Sequence, residues 1–306
     1  MMVAAACLAL PGAVVAAGTE PPAGEPVDFG AWTGVQYRII IDPDWLAADD
    51  SHVYIQAAEQ VYVLDPKTGS ITATVVIASD GCQGIGAGLG GVWTCSGNDV
   101  IPIDQDSATI GTPIAVNKTA QQGHLATGFE RLWVLTGDGS TLVGLDPETG
   151  DVIDEIALDV RCIDVAIDEG SVWVACALDD VVLRIDPANS TVIDRLELTE
   201  PHRVAFSEGA IWVGTASSVV RIDPESLDVV ATIEGGVGRD GGLTADDDGV
   251  WVRRAATPLV RIDPATNEVT DELDLGVTSG GDVLVAHGAV WTTAYDDQAL
   301  FRIDLR

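Results

Sequence analysis

The 306-residue chain sets 48 Asp and Glu against 15 Lys and Arg, a formal net charge of −33, and Lys67 and Lys118 are its only lysines. Such a surface repels phosphate, which argues against nucleic acid and anionic membrane surfaces as partners. The acidity reads as a solubility device rather than as metal binding.

The first 18 residues, MMVAAACLALPGAVVAAG, hold no charge and end in small residues. They read as a secretion signal with Val15-Ala16-Ala17 at its cleavage site, and the missing basic segment leaves room for a start of translation further upstream. Pro11 and Gly12 interrupt a run barely long enough to span a bilayer, so no membrane insertion of the mature domain is expected. A lipoprotein reading around Cys7 is poor, because Ala4 stands where Leu is normal. Residues 19–34 follow as a flexible linker rich in Pro and Gly.

From there one pattern recurs. SVWVACALDDVVLRIDPANSTVIDRLEL (171–198) is nearly repeated in RLWVLTGDGSTLVGLDPETGDVIDEIAL (131–158), and again at 210–235 and 249–276, with weaker copies at 52–77 and 91–116. The marker aromatics Tyr54, Trp93, Trp133, Trp173, Trp212, Trp251 and Trp291 stand 39 or 40 residues apart. A period of this size signals a solenoid, a propeller or an array. Within each unit, Val, Ile, Leu, Thr and Trp alternate with Gly, Asn and Asp-Pro, which are strand formers separated by turn formers. Four strands of about five or six residues with connections of about four fill one repeat. Each repeat is therefore a four-stranded antiparallel blade, and the fold class is an all-β, seven-bladed β-propeller over residues 35–306.

The last copy, AVWTTAYDDQALFRIDLR (289–306), lacks a fourth strand, whereas QYRIII (36–41) is a strand without a unit. Joining them closes the ring and completes the terminal sheet. The Trp ladder is expected to fill the spaces between blades rather than to stack a ligand. Asp65, Asp146, Asp186, Asp223 and Asp263, each followed by Pro, suit type I turns, and Asp104 and Asp304 keep the Asp alone. A calcium ladder on these aspartates lacks the further oxygen ligands it would need.

Cys82 and Cys95 flank one hairpin, and Cys162 and Cys176 flank another, in nearly matching registers around Trp93 and Trp173. Two intrablade disulfides, 82–95 and 162–176, are predicted, and with the signal they imply a secreted, periplasmic or cell-surface protein. Cys pairs 13 or 14 apart match no usual zinc pattern.

Nine residues before each marker stand Trp45, Gly84, His124, Asp164, Arg203, Gly242 and Asp282, a register that rings one mouth of a propeller's channel. Repeated residues hold the fold, so function is expected where blades differ. Trp45, His124, Asp164, Arg203 and Asp282 are the predicted ligand-binding residues, and Arg253, Arg254 and Tyr295 are expected to border the same mouth. A solvated polar rim is the competing reading of this register. His52 and His287 fall near hairpin turns and read as surface residues. No nucleophile elbow, phosphate loop, His-x-x-x-His pair or Ser/His/Asp arrangement appears, and GIGAGLGG (84–91) lacks the following helix of a dinucleotide site.

The succession VWV, VxRIDPxT and VxxxIxLG resembles the YVTN-type and virginiamycin B lyase-like (streptogramin lyase-like) bacterial propellers over residues 36–306. That resemblance implies the propeller fold and, for the lyase branch, a histidine and acidic residues acting with magnesium near the channel mouth. His124 or His202 would then be the base. The stretches WTCS, WVLT, WVAC, WVGT, WVRR and WTTA stand here where the lyases read like WFTE. The reading adopted is an exported, non-enzymatic, monomeric propeller without cofactor, binding a small molecule, peptide or surface polymer at one mouth. The alternative is a metal-assisted C–O lyase acting on a cyclic ester.

Overall fold

The computed structural model describes residues 24–39, 41–77, 81–117, 119, 125–207, 209–246, 248–254 and 258–306, the side chains of 81–83 excepted. The segment read as a secretion signal, Cys7 and His124 fall outside the described residues, and so does the side chain of Cys82.

Seven antiparallel sheets form a ring, each starting with a short inner strand and continuing through the strand that carries the marker aromatic. In blade 4 the strands are Asp164–Ile167, Val172–Cys176, Val181–Asp186 and Thr191–Glu197. Blade 2 departs from the rule, because its outer strand is split into Thr109–Ile110 and Ile114–Ala115, both paired with Asp99–Asp104. Ring closure follows the expected route. Trp32–Arg38 lies antiparallel to Ala299–Asp304, with Gly34 opposite Ile303 and Arg38 opposite Ala299.

Two boundaries are corrected. The closing strand starts at Trp32 rather than Gln36, and Glu25–Phe29 pairs outside it as a fifth strand of blade 7. Residues 25–34 are therefore sheet, not flexible linker. Pro26 and Gly30 disguised this, although Pro is tolerated in such an edge strand and Gly30 takes the left-handed turn at φ 76°. Trp32 anchors the segment. Its ring meets Trp251 edge-on at 5.3 Å, and its Nε1 donates to Asp271 at 2.7 Å.

The marker aromatics are buried, all at 2 % exposure or less. Each fills the gap toward the following blade. Trp173 packs with Val204, Ile211 and Val213, Trp212 with Leu243, Val250 and Val252, and Trp251 with Val283, Val290 and Phe301. A Trp buries about 150–250 Å², so these contacts carry much of the ring's cohesion. The Arg of the RIDP segment lies across the strand pair from its tryptophan. In Trp173–Arg184 and Trp212–Arg221 the guanidinium sits 5.3 Å from the ring centre. The same arginines donate to the next blade's turn, Arg184 to the Pro224 carbonyl at 2.8 Å and Arg221 to that of Pro264.

The turn aspartates cap their own turns. Asp65, Asp146 and Asp223 each accept the backbone N–H groups two and three residues on, and those bonds hold their carboxyls below the usual range. Cys162 and Cys176 form the predicted intrablade disulfide, with Cα atoms 3.7 Å apart. Cys95 is also disulfide-bonded, to a sulfur outside the described side chains.

Candidate functional site at one channel mouth

The inner strands all begin at the same end of the ring. Trp45, Asp164 and Gly242 pair with Gln56, Ala175 and Arg253, two residues past the marker aromatic of the neighbouring strand. There a cavity of about 210 Å³ opens between blades 5, 6, 7 and 1. It is lined by Trp45 with Asp44, by Arg203, by the Arg239–Gly241 turn, and by Gly281, Asp282 and Tyr295. Gly281 has no room for a side chain, because a Cβ there would collide with the Thr293 carbonyl, so bare backbone forms that wall.

Arg203 is the central side chain. It is 4 % exposed, and its guanidinium lies 4.8 Å from the Trp45 ring centre, across from the adjoining blades. A desolvated cation on a tryptophan face is worth about 2 kcal/mol, which fixes the arginine in place. Its Nη1 donates to the His202 carbonyl at 2.8 Å and its Nη2 reaches the Arg239 carbonyl at 3.4 Å. Its Nε is buried and makes no hydrogen bond. Leaving such a donor unpaired costs about 1–3 kcal/mol, more for a charged group.

Acidic groups face it. Asp282, 3 % exposed, accepts the Val283 N–H at 2.8 Å with one oxygen and the Leu46 N–H at 3.0 Å with the other, tying blade 7 to blade 1. Asp44 is half-buried beside it. Burial, then the neighbouring Asp282 charge and the more weakly felt Asp240, push its carboxyl up to about 7, against the opposing pull of Arg203 and a hydrogen bond from Trp45. Burial and the nearby charges of Asp240, Asp296 and Asp44 also raise the Tyr295 hydroxyl, which stays protonated. The cavity thus joins two guanidiniums, three carboxyls and a phenol.

Of the residues expected at this mouth, Trp45, Arg203, Asp282 and Tyr295 converge on the cavity. Asp164 stands apart: at 1 % exposure it accepts the Val204 N–H at 2.9 Å and links blade 4 to blade 5 as Asp282 links 7 to 1. Arg253 stands opposite Gly242 at this end of the ring but does not line the cavity, and neither does Arg254. Side chains alternate along a strand, so Arg253, two residues after Trp251, shares its face and points into the gap toward blade 7. There it is fully buried and donates to the carbonyls of Arg254 at 2.7 Å, Ser279 at 2.5 Å and Thr293 at 3.4 Å. Arg254 turns toward the Glu234 carbonyl at 3.4 Å. His202 is half-buried next to Arg203, held neutral by burial and by that guanidinium, and it does not line the cavity.

Sequence reading missed Asp44, Arg239, Asp240, Gly241 and Gly281. Three of these, Asp44, Gly241 and Gly281, stand one position before the register residues Trp45, Gly242 and Asp282. The signal was present in that adjacent register and in the charged pair inside GGVGRDGG (235–242). At the opposite end of the ring a wider groove of about 720 Å³ runs past Asp49, Asp50, Gln105 and His287. His287 is exposed as expected, and His52 is half-buried beside Asp49 and Tyr54. Among the described residues, no three His, Cys, Asp or Glu side chains are gathered to hold a metal ion. The magnesium implied by the lyase resemblance thus finds no donor set among them.

No protein-family model matches the chain, and no curated protein matches it in sequence. Solved structures match it in shape. The Kuenenia stuttgartiensis hydrazine synthase structure superposes with a TM-score of 0.73 at 11% identity, covering 86% of this chain and 95% of that one. A streptogramin B lyase structure gives a TM-score of 0.73 at 14% identity, covering 89% and 97%. At such identities the likeness establishes the propeller and leaves the chemistry to the site.

Proposed function

We propose that this propeller binds a small polar molecule in the mouth cavity, with Arg203 as its anchor. The observation that carries the reading is the Arg203 Nε, a buried cationic donor without a partner, in the wall of a cavity. About 210 Å³ falls below the roughly 300–1,000 Å³ usual for drug-sized ligands, which suits a small metabolite better than a polymer segment. The binding reading needs only groups that line the cavity; of the two histidines weighed as a lyase base, His202 lies outside it and His124 lies outside the described residues. The disulfide 162–176 is compatible with an oxidising compartment, in keeping with an exported binding protein.

Native mass spectrometry after incubation with a low-molecular-weight cell extract tests the reading. Wild type should retain a small molecule that Arg203→Ala loses while still unfolding cooperatively. Arg221→Ala, which removes an equivalent Arg–Trp stack away from the cavity, should retain it. Equal retention by Arg203→Ala would overturn the assignment.

A further inference from the structure

The lining carries both signs of charge, which narrows the ligand class. It brings the Arg203 guanidinium, its Nε unpaired, and the exposed Arg239 together with Asp44, Asp240 and Asp282. A simple anion entering this space would meet three carboxyls, and a simple cation would meet two guanidiniums. A neutral sugar would leave both signs of charge without a partner, and the Trp45 face is already covered by Arg203 at 4.8 Å. A molecule carrying both charges offers a partner to each sign. A carboxylate accepts from the Arg203 Nε, and arginine is suited to that because its donors lie in a fixed plane. An ammonium group set a few bonds away reaches the carboxyls. Resting on the binding reading above, we infer that the mouth cavity is a receptor site for a small zwitterion of the α-amino-acid class, its carboxylate on Arg203 and its ammonium among Asp44, Asp240 and Asp282.

The proton on Asp44 supplies an independent check. Its carboxyl is pushed up to about 7 by burial, Asp282 and Asp240, with Arg203 pulling the other way, and Tyr295 and Arg239 complete the charged surroundings. An ammonium placed beside it stabilises the ionised form, so binding releases a proton and affinity rises as pH rises through 7. An anionic ligand without the ammonium does the opposite: it favours the protonated carboxyl, takes up a proton and binds more weakly as pH rises.

The test is calorimetric titration of the full chain with the free L-amino acids, in two buffers of different ionisation enthalpy, with acetate and methylammonium as single-charge probes. At least one amino acid should bind, with release of about half a proton at pH 7, the share that a carboxyl titrating near 7 still holds. Its N-acetyl and its carboxamide derivatives should each bind at least tenfold more weakly. Asp44→Asn should abolish the proton release, and Arg203→Ala the binding. Acetate binding to wild type but not to Arg203→Ala, with no amino acid binding more tightly, would overturn the zwitterion while leaving the Arg203 site standing. Proton uptake in place of release would overturn it equally. If Arg203→Ala binds every probe as wild type does, the site itself is wrong.

Discussion

Replacing Asp44 by Asn isolates the electrostatics of the mouth in the absence of any ligand. Asp44 titrates near 3.8 when exposed and at about 7 in the fold. Its folded pKa is therefore raised: the native protein holds a proton that the unfolded chain has lost. The associated stability is full below about pH 4, declines as pH rises, and is gone above about 7. Between pH 5 and 7 the decline amounts to two pH units at about 1.4 kcal/mol each, a ceiling of about 3 kcal/mol. Half-burial admits water and screens the neighbouring charges, which brings the expected change to about 1–2 kcal/mol. The asparagine side chain keeps an oxygen for the Trp45 hydrogen bond and cannot ionise. Urea unfolding followed by tryptophan fluorescence at pH 5, 6, 7 and 8 should thus show the Asp44→Asn variant gaining about 1–2 kcal/mol on wild type across this range. Any uniform cost of the substitution cancels in the slope. A difference that is flat with pH, or one that runs the other way, would refute the account of Asp44 as a carboxyl crowded by Asp282 and Asp240.

Ring closure can be read from two truncations. Removing residues 1–30 deletes the fifth strand of blade 7 but keeps Trp32 and should leave a single cooperative transition. Removing 1–42 opens the ring and should abolish it, so equal stability of the two would contradict closure by Trp32–Arg38. Non-reducing peptide mapping of exported protein should join Cys162 to Cys176 and Cys82 to Cys95; free thiols at these positions would count against both the pairing and the export.

The fold was legible because a repeat states its physics many times over. Tryptophans spaced 39 or 40 apart mark the same interblade gap in successive blades, and the Asp-Pro turns mark the same corner. The closing blade was legible only in part, since its first strands occur once and carry Pro26, Gly30 and Gly34 in place of the repeating pattern. The mouth was half legible. The nine-before register selected Trp45, Arg203 and Asp282 because it specifies which end of a strand a residue occupies. The register put Asp164 with the cavity as well, yet that residue makes the same tie to the next blade as Asp282 while the cavity opens between blades 5, 6, 7 and 1, and Arg253 turns into the gap toward blade 7. Arg253 was recoverable from its even spacing to Trp251. Asp44 and Gly241 stand one position before register residues and were legible there, whereas Arg239 and Asp240 lie in a turn that no repeat fixes.

The central claim is that the Arg203 Nε–H is the donor that receives the ligand. The signal of this group in a ¹⁵N-edited NMR spectrum of the full chain, recorded with and without a mixture of free amino acids, measures that claim at the atom concerned. The account predicts a shifted Arg203 Nε–H that exchanges more slowly with water, while the Nε–H of Arg221 stays unchanged. A bound amino acid with an unaltered Arg203 signal would contradict it.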